Sequence, residues 1–444
     1  MTELLTGWGR TAPTAAARVL RPTSADEIAQ VLREAGDRGV LARGLARSYG
    51  DAAQNSGGTV LDLTALDGLL ELDADKATVT VDAGVSLDRL LAEIVPRGFF
   101  VGVTPGTRYV TVGGAIASDV HGKSHHVDGG FCQWVERLTL ATPTGVLELT
   151  PADEAFWATA GGMGLTGVVT RATLRLHRIE SSKMQVRTQR APDLDSALSL
   201  LSDAGDRYSV AWIDLLAGNG RCVVGRGDHA GAQGQDPLHY VPSAKLSAPP
   251  WVPSGLLNPL TVKAFNELWY RKSPKDHEGL ESIQTFFHPL DGVRDWNRIY
   301  GRGGFLQYQF VVPLAADQVV RDAVEALGQA RVPSFLAVLK RLGDQPGMLS
   351  FPMAGWTLAL DVPTATPGLA PLLDRLDGQV AAAGGRVYLS KDSRLRPDVL
   401  SAMYPELGRW QQVQATLDPD GVLRSDLSRR LPLLPARRQA TRGH

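Results

Sequence analysis

Two glycine-rich segments in the first third of the chain constrain its fold more than any other feature of the sequence. Residues 42–55 follow a short strand-like run, and residues 105–121 form the second segment. Small residues let consecutive backbone N–H groups turn toward one point, which is how many loops bind phosphate groups. Both segments are therefore candidate anion-binding loops, although an ordinary turn-rich loop explains the first segment, taken alone, somewhat better.

A literal G-x-G-x-x-G motif at residues 162–167 competes with these segments as a dinucleotide site. The dinucleotide-binding fingerprint requires a strand before the motif and a helix after it. Here the order is reversed, because the helix-like run 153–159 precedes the motif and the strand-like run 168–176 follows it. We predict a tight turn between a helix and a strand at this motif.

Length and composition predict a two-domain globular protein. A chain of 444 residues exceeds what one hydrophobic core usually serves. Its 43% hydrophobic residues, 21% charged residues and formal charge of −1 are typical of soluble proteins rather than of disordered or membrane-spanning chains. The charge balance gives no basis for nucleic-acid binding.

The cysteines and the first residues exclude two further classes. Cys132 and Cys222 lie far apart and belong to no C-x-x-C or Cys/His pattern, so neither a disulfide framework nor a zinc site is expected. The first ten residues contain Trp8, Gly9 and Arg10 where a signal peptide needs a basic start and an apolar run. A classical secretion signal is therefore not expected.

Local patterns predict an α+β fold. Ser24 and Glu27 form a capping box before apolar residues at helical spacing, and residues 86–95 indicate a second helix. From Ser181 the pattern changes to further strand-like runs, which indicates a second domain. Strands are expected at residues 40–42, 60–63, 78–81, 185–188, 209–215, 306–310, 334–340 and 356–361, and a further helix at residues 192–201.

Two segments lack clear periodicity. Residues 226–259 are rich in Gly, Pro, Ser and Ala, and we predict a long mobile loop there. A lid over a site and a disordered insertion without a role are equally supported. The proline-interrupted, basic residues 429–444 are expected to form a solvated tail, with attraction to anionic phosphates or a membrane surface as the lesser alternative.

A cluster of His and Lys side chains follows the second glycine-rich segment. It contains His121, Lys123, His125 and His126. A metal site is not expected, because Gly122 interrupts the helical pairing of His121 with His125 and no third ligand set is evident. Beside a glycine-rich cofactor loop, such a cluster is better suited to stabilising negative charge.

Four polar residues in the second half are candidates for substrate binding. Gln307 and Gln309 alternate with apolar residues and therefore share one face of a strand. Inward-facing amides would suit the recognition of hydroxyl groups, whereas a solvent-facing polar side is the common alternative. Lys340 ends an otherwise apolar strand and Lys391 lies in a short polar segment. Because lysines are usually solvated, both belong to a site only if they line a cavity.

Taken together, these segments resemble the FAD-linked oxidases of the vanillyl-alcohol oxidase type, and within that family the branch that oxidises a polyprenyl-phosphoryl ribose. The resemblance covers nearly the whole chain. Several unrelated stretches in the same order are more specific than any single loop. They are residues 5–13 (LTGWGRTAP), 43–55 (RGLARSYGDAAQN), 105–126, 156–167, 267–273 (ELWYRKS), 304–310 (GFLQYQF), 391–394 (KDSR) and 402–405 (AMYP).

The resemblance implies a two-domain α+β flavoprotein. Residues 1–181 and a C-terminal return at 386–444 would form the FAD-binding domain, and residues 182–385 an inserted substrate-binding domain with an antiparallel sheet. In the wider family a histidine of the first loop often attaches FAD covalently, and the corresponding position here is Arg47. FAD is therefore expected to be bound non-covalently.

The resemblance also implies the site residues. Lys391 is the first candidate for stabilising the developing charge on the substrate oxygen, and His121 is the weaker candidate for handling its proton. The substrate would be surrounded by Tyr49, Lys123, Gln307, Gln309, Lys340 and Lys391. The implied FAD contacts are Arg43, Gly44, Leu45, Ala46, Arg47, Ser48, Tyr49, Gly50, Asp51, Gly106, Thr111, Val112, Gly113, Gly114, Ser118, Asp119, His121, Val169 and Tyr388.

Two residues depart from the pattern of mycobacterial family members. Ala359 replaces a cysteine to which covalent nitroaromatic inhibitors attach, so such inhibition is not expected here. Thr357 stands where an asparagine is expected, which leaves the substrate less closely defined.

The implied activity is oxidation of the 2-hydroxyl of decaprenylphosphoryl-β-D-ribose to a keto sugar. This is the first half of an epimerisation that supplies the arabinose donor for actinobacterial cell-wall arabinan. A separate NAD-dependent reductase would complete it at the cell envelope. Peripheral membrane association is compatible with this activity, on a side of the membrane that the sequence leaves open. The alternatives are a soluble alditol or aldonolactone oxidase and a flavin-binding partner protein without turnover.

Overall fold

A computed structural model describes residues 3–203, 205–244 and 246–434. Its strands are β1 (Glu3–Leu5), β2 (Thr14–Ala16), β3 (Arg18–Leu20), β4 (Val40–Arg43), β5 (Thr59–Asp62), β6 (Leu70–Asp73), β7 (Thr78–Asp82), β8 (Phe99–Val101), β9 (Val135–Thr142), β10 (Gly145–Leu149), β11 (Val168–Arg178), β12 (Lys183–Ala191), β13 (Tyr208–Ile213), β14 (Cys222–His229), β15 (Leu246–Ser247), β16 (Asp276–Ser282), β17 (Val293–Arg294), β18 (Phe305–Pro313), β19 (Ala337–Leu342), β20 (Gly355–Pro363) and β21 (Arg386–Val387). Its helices are α1 (Ala25–Arg33), α2 (Leu87–Ile94), α3 (Val112–Ala117), α4 (His125–Asp128), α5 (Glu154–Thr159), α6 (Leu194–Ser202), α7 (Pro259–Lys272), α8 (Ile283–Phe287), α9 (Asp317–Gln329), α10 (Leu369–Ala382), α11 (Leu400–Met403), α12 (Leu407–Leu417) and α13 (Asp426–Arg430).

The first helices begin where their capping residues predict. The Ser24 side chain accepts a hydrogen bond from the Glu27 N–H and starts α1, and Ser86 accepts one from the Arg89 N–H and starts α2. The expected helix at residues 192–201 is α6, whose N-cap is Asp193. No helix among the described residues has the length and apolar character that crossing a membrane requires.

Two main sheets form before residue 180. Strands β3, β5 and β4 form a parallel sheet in that order, and Ile28 and Leu32 of α1 share a hydrophobic core with Val40 and Leu61 of its strands. The second sheet is antiparallel and runs in the order β10-β9-β11-β7-β6, with β8 also paired to β11. Helix α2 contributes to the core beside this sheet. The glycine-rich loops connect these layers.

An antiparallel sheet of eight strands begins at β12 and runs in the order β16-β12-β14-β13-β19-β20-β18-β21. Tyr308 and Phe310 of β18 are buried in the core that includes residues of α9 and α10. Because side chains alternate along a strand, Gln307 and Gln309 point to the other face. They border a cavity there, so the solvent-facing alternative is wrong.

At residue 386, where the C-terminal return is predicted to begin, the chain is still paired with the eight-stranded sheet. Arg386 and Val387 form β21 and pair with β18, so these two residues still extend the eight-stranded sheet. Beyond them the chain packs against the first region, where the Trp410 indole N–H donates to the Ala158 carbonyl at 2.8 Å. Leu423 also forms a parallel bridge with Val40.

Three local expectations are resolved by these elements. The G-x-G-x-x-G motif lies in the turn between α5 and β11, as predicted. The loop expected from residue 226 begins only after His229, because β14 continues to that residue in its ladder with β12. The strand expected at residues 334–340 starts at Ala337 and is β19.

The prediction of a solvated tail from residue 429 is wrong for its first residues, because Arg429 and Arg430 end α13 and Leu431 and Leu433 are buried. Residues 435–444 lie outside the described part of the chain.

Candidate active site

A cavity of about 1350 Å³ lies between the glycine-rich loops and one face of the eight-stranded sheet. Typical small-molecule pockets measure about 300–1,000 Å³, so this one has room for two ligands side by side. The loops contribute residues 42–49 and most of 105–114, and the sheet contributes Gln307, Gln309 and Lys340. Lys391 enters from the C-terminal return. Segments far apart in the sequence therefore meet around one space.

The first glycine-rich loop has the backbone of an anion-binding nest. Gly44 lies so close to Thr111 that a Cβ atom at position 44 would be 2.2 Å from the Thr111 Oγ1. Ala46 has a left-handed backbone with a φ of 56°. Within the described residues, the N–H groups of 44–48 donate no hydrogen bond. Consecutive unpaired N–H groups around a left-handed residue are suited to binding phosphate oxygens.

The second glycine-rich loop forms a smooth wall of the cavity. Thr111 Oγ1 accepts a hydrogen bond from the Gly114 N–H, and the Gly113 N–H donates to the Ala83 carbonyl at 2.8 Å. A Cβ atom at position 113 would lie 2.9 Å from the Ala83 Cβ, so glycine permits this close approach. Nothing lies within 4 Å of the Cβ position of Gly106, which faces open space in the cavity. The loop leaves room for a flat ligand.

Four of the residues expected to contact FAD do not border the cavity, so their contact with FAD stays a prediction. They are Gly50, Asp51, Val112 and Asp119. The backbone at Gly50 packs on the Asp392 carbonyl, and the Asp51 carboxylate pairs with Arg430. Val112 is buried in the core and its N–H donates to a backbone carbonyl. Asp119 is buried and accepts three hydrogen bonds from within the protein. These four residues stabilise the loops on the side that faces away from the cavity.

The other expected contacts border the cavity. Two of them are held firmly: the Tyr388 hydroxyl donates to the Ser118 carbonyl at 2.7 Å, and its ring stacks on Phe351 with centroids 4.5 Å apart. The Arg47 guanidinium lies 3.8 Å from the centre of the Trp8 ring. The full set is Arg43, Gly44, Leu45, Ala46, Arg47, Ser48, Tyr49, Gly106, Thr111, Gly113, Gly114, Ser118, His121, Val169 and Tyr388.

Four lysines border the same cavity: Lys272, which is exposed on α7, and Lys123, Lys340 and Lys391, whose pKa values are lowered. Burial lowers the pKa of Lys123 to about 7, with a contribution from the charge of Lys340. Burial also lowers the pKa of Lys340 to about 8. A buried cluster of ammonium groups is stabilised in its charged form by an anion, so the cavity is suited to a negatively charged ligand.

Lys391 is the most constrained of these lysines. Its Nζ lies 3.9 Å from the centre of the Tyr49 ring. Burial and the charge of Lys340 lower its pKa, whereas the nearby Asp361 carboxylate opposes that shift. A lysine with such a lowered pKa can exchange a proton near neutral pH and can also hold negative charge on a substrate oxygen.

Asp361 is a functional candidate that sequence reasoning missed. It is fully buried in β20, directly opposite Gln307 in the ladder with β18. Its Oδ1 accepts a hydrogen bond from the Gln307 amide, and its Oδ2 is buried without a partner within the part of the chain that the structure describes. Burial raises the pKa of this carboxyl group. A lone acidic residue in the apolar strand 356–363 was the available signal, since unpaired buried acids are rare.

His121 is buried and makes a hydrogen bond to Gln309 through its Nε2 atom. The Gln309 amide donates to the His121 Nε2 at 2.8 Å and to the Thr357 Oγ1 at 3.1 Å. The Thr357 hydroxyl in turn donates to the Phe310 carbonyl, so the Gln309 amide nitrogen must be the donor to both. Burial, followed by the charge of Lys340, holds the pKa of His121 well below its usual value. The His121 ring is therefore neutral and its Nε2 accepts the Gln309 hydrogen bond, while its role in taking up the substrate proton stays a prediction.

An apolar wall extends from the lysines along the sheet. Val338 shares a face of β19 with Lys340 and borders the cavity, as does Ala359 opposite Val338. Leu336, which directly precedes β19, also borders the cavity. Sequence reasoning did not identify this wall. Its other members are Val186, Val210, Trp212, Val223, Phe265, Trp269 and Phe335.

Comparisons with known proteins find relatives that bind FAD or act as oxidases. Residues 16–150 match the family of FAD-binding domains. The chain is 42% identical to decaprenylphosphoryl-β-D-ribose oxidase of Mycolicibacterium smegmatis, over 98% of either chain. An uncharacterised protein of Streptomyces coelicolor is 39% identical over 79% of this chain and all of its own length. An alditol oxidase of a Streptomyces species is 24% identical over 95% of this chain and 97% of its own.

Proposed function

The chain belongs to the decaprenylphosphoryl-β-D-ribose oxidase family of FAD-dependent oxidoreductases, and from this premise we propose that it oxidises the 2-hydroxyl group of decaprenylphosphoryl-β-D-ribose to a ketone. Family membership confirms the expected FAD cofactor, the oxidoreductase class and the two-domain α+β fold of the vanillyl-alcohol oxidase type.

The loops described above fit the cofactor. The N–H groups of residues 44–48 would hold its pyrophosphate, and the walls at Gly106, Gly113, Val169 and Tyr388 would hold its flat ring. When bound, FAD supplies the acceptor for the hydride that leaves the alcohol carbon.

The protein's own residues act on the hydroxyl group. Oxidation of an alcohol removes a hydride from carbon and a proton from oxygen, so the oxygen must be held while negative charge develops on it. The Lys391 Nζ holds this oxygen, and Asp361 keeps Lys391 protonated. The proton that leaves the oxygen goes to the neutral His121, whose Nδ1 has no hydrogen-bond partner within the described residues. Gln307 and Gln309 orient the sugar through its other hydroxyl groups. Closely packed walls exclude water from the reacting carbon.

The proposed substrate rests on one observation: the same cavity has a charged part and an apolar part. Lys123, Lys340 and Lys391 border its polar part, and an apolar wall continues along β19 from Lys340. A phosphate would be attracted to the lysines, a ribose would meet the glutamines and a prenyl chain would lie on the apolar wall. A ligand with only one of these groups would leave the rest of the lining unmatched.

A soluble polyol oxidase is the second candidate, favoured by the alditol oxidase relative. A free alditol carries no charge for the lysines and no chain for the apolar wall, so the cavity fits it less well. The third alternative is a flavin-binding partner without turnover. It would not explain why the charged residues Asp361 and Lys391 lie buried next to each other.

Flavin bleaching under anaerobic conditions separates these candidates. The purified holoenzyme would be mixed with farnesylphosphoryl-β-D-ribose, free ribose, ribose 5-phosphate or xylitol, and its visible absorbance followed. We expect rapid bleaching by the lipid-linked ribose alone. Faster bleaching by xylitol would favour the polyol oxidase, and no bleaching by any alcohol would favour the non-catalytic protein.

The chemistry of the keto-sugar product indicates that a partner enzyme is needed. A keto sugar becomes an epimer only after reduction, and the electrons removed here have left with the cofactor, so a separate NAD-dependent reductase completes the reaction. Because the prenyl chain of the substrate resides in a membrane, the enzyme works at the cell envelope. Formation of the arabinose epimer from lipid-linked ribose, only when a candidate reductase and NADH are added to the holoenzyme, is the supporting result.

A further inference from the structure

We propose that residues 241–244 and 246–272 form a docking surface for an anionic lipid bilayer at the mouth of the cavity. We call this surface the apolar rim. The inference deepens the proposed function, and the part that concerns substrate delivery rests on it. Its large apolar members are Val241, Leu246, Trp251, Leu256, Leu260, Phe265, Leu268 and Trp269.

Exposed apolar side chains are concentrated in this one stretch. Among the described residues, fourteen large hydrophobic side chains are exposed, and eight of them lie between Val241 and Trp269. Leu260 is 81% exposed and Leu268 is 66% exposed. Scattered apolar residues on a surface are ordinary, but a contiguous group marks a place of interaction.

Helix α7 presents its apolar side outward. Its inward side contains Val262 and Asn266, and the Asn266 amide donates to the Asp214 carboxylate at 2.8 Å. Leu260, Ala264 and Leu268 repeat every four residues and are exposed, so they form a stripe along the outer side. A surface helix normally faces water with polar residues, so this arrangement needs an apolar partner.

The apolar rim continues into the cavity. Phe265 and Trp269 of α7 border it and stack on each other with centroids 6.4 Å apart. The Phe265 ring also packs edge-on against Phe335 of the apolar wall, at 5.8 Å. Residues 242–244 border the cavity as well. A lipid chain could therefore pass from a bilayer onto the apolar wall without crossing water.

The charge of the segment favours an anionic surface. Residues 241–244 and 246–275 contain four basic residues and one acidic residue, although the whole chain has a formal charge of −1. The acidic residue, Glu267, is paired with Arg221 and Arg271. Lys263 and Lys272 of α7 are exposed. Apolar side chains, tryptophan and lysine together on one side are typical of segments that lie in the headgroup region of a bilayer.

A protein partner fits this surface less well than a bilayer does. A second copy joined through the same rim would cover the mouths of both cavities, because a twofold contact uses the same surface on both copies. A different protein seated there would also close the mouth through which the lipid-linked sugar enters. A bilayer covers the rim and supplies the substrate at the same time.

Vesicle flotation tests the proposal without any substrate. The FAD-loaded full-length protein would be floated with phosphatidylcholine vesicles that contain or lack phosphatidylglycerol. We expect binding to the anionic vesicles, and a loss of about tenfold or more in the variant with L260E and L268E, because two exposed leucines no longer insert. The variant with K263E and K272E is expected to lose the preference for anionic lipid. The control is V146E, a similarly exposed residue of β10 outside the rim, which should float like the wild type.

The outcomes separate the alternatives. Equal flotation of the wild type and the L260E/L268E variant, or no flotation of the wild type, overturns the proposal. A wild-type dimer that these substitutions dissociate, without vesicle binding, would assign the rim to self-association instead. Flavin absorbance and thermal unfolding of each variant establish that it is folded.

A second measurement separates this inference from the proposed function. Flavin bleaching by farnesylphosphoryl-β-D-ribose dissolved in buffer should be equal in the wild type and the L260E/L268E variant, since neither leucine borders the cavity. Bleaching by the decaprenyl substrate embedded in vesicles should be slower in the variant. Failure of the wild type with the dissolved substrate would count against the proposed function, whereas flotation would still decide the docking surface.

Discussion

Lys391 is held at the cavity by two neighbours of different kinds. The Tyr49 ring lies against its Nζ, and the Asp361 carboxylate is close enough to counter the effect of burial on its pKa. Asp361 is itself oriented by the Gln307 amide. The reactivity of Lys391 therefore depends on residues that do not all touch the substrate.

Replacing Lys391 by alanine should preserve FAD binding and slow flavin reduction. The substitution removes the ammonium group that holds the substrate oxygen, and comparable electrostatic contacts are worth about 10²–10³ in rate. Anaerobic stopped-flow absorbance with the lipid-linked ribose measures it. Lys183→Ala, at an exposed position at the start of β12, is the control. An unchanged reduction rate in the Lys391 variant would remove this residue from the mechanism.

Replacing Asp361 by asparagine should move the pH dependence of flavin reduction to lower pH. The carboxylate raises the pKa of Lys391, so its removal lets Lys391 lose its proton at a lower pH, while the asparagine oxygen can still accept the Gln307 hydrogen bond. The reduction rate should therefore decline at a lower pH than in the wild type. Asp398→Asn, which removes a surface partner of Arg396, should leave the profile in place. Superimposable profiles for the Asp361 variant and the wild type would contradict the coupling.

The two glycine-rich loops work as a pair because each one shapes the other. Thr111 of the second loop starts α3 and also occupies the space where a side chain at position 44 would lie. The left-handed Ala46 then directs the following N–H groups. Anion binding in the first loop thus depends on close packing against the second loop.

Replacing Gly44 by alanine should weaken FAD binding by about tenfold or more, equivalent to about 1.4 kcal/mol. The new Cβ atom would lie 2.2 Å from the Thr111 Oγ1, so one of the loops must shift. Titration of the apoprotein with FAD, followed by flavin fluorescence, measures the affinity. Gly36→Ala is the matched control, because nothing lies within 4 Å of its Cβ position. Equal affinities of the two variants would refute the close-packing argument.

At the scale of the whole molecule, the C-terminal return joins the parts of the site. Arg430 of α13 pairs with Asp51, next to the first glycine-rich loop, and with Asp392, next to Lys391, both at 2.8 Å. Asp392 also accepts hydrogen bonds from the N–H groups of Arg394 and Leu395. One guanidinium group therefore ties the cofactor loop to the lysine loop. Asp392 is buried, and the Arg394 side chain pairs with Asp374 and Asp377.

Replacing Arg430 by alanine should lower the free energy of unfolding by about 3 kcal/mol, because two carboxylates would be left close together without their cation. Urea denaturation of the FAD-loaded protein measures this loss. Arg396→Ala, which removes an exposed partner of Asp398, should cost much less. A similar stability of both variants would show that the Arg430 pairs are dispensable.

FAD should leave the protein on denaturation, because Arg47 stands where a histidine often forms the covalent link. Denaturing the holoenzyme in guanidinium chloride and filtering it measures the distribution of flavin absorbance. We expect the yellow colour in the filtrate. Colour retained with the polypeptide would show a covalent bond at another residue.

The sequence alone located some of the helices and strands, but fewer than half of them. Caps, helical spacing and strict alternation act over a few residues, so α1, α2, β7 and β18 were found close to their observed positions. The order of elements around the G-x-G-x-x-G motif was equally local and excluded a dinucleotide site there. FAD and the substrate class were inferred from the resemblance of several segments to a known family, and not from local patterns of helices and strands.

Only the tertiary structure decided which polar residues form the site. Asp361 and Gln307 are 54 residues apart and meet only through the register of β18 with β20. Asp51 and Asp119 lie in the segments predicted to bind FAD but point away from the cavity, because long-range partners bind their carboxylates. The outward apolar stripe of α7 likewise becomes visible only when the buried side of the helix is known. Side-chain direction and long-range pairing are set by the packing of the whole chain. They therefore cannot be predicted from the local pattern of the two glycine-rich segments.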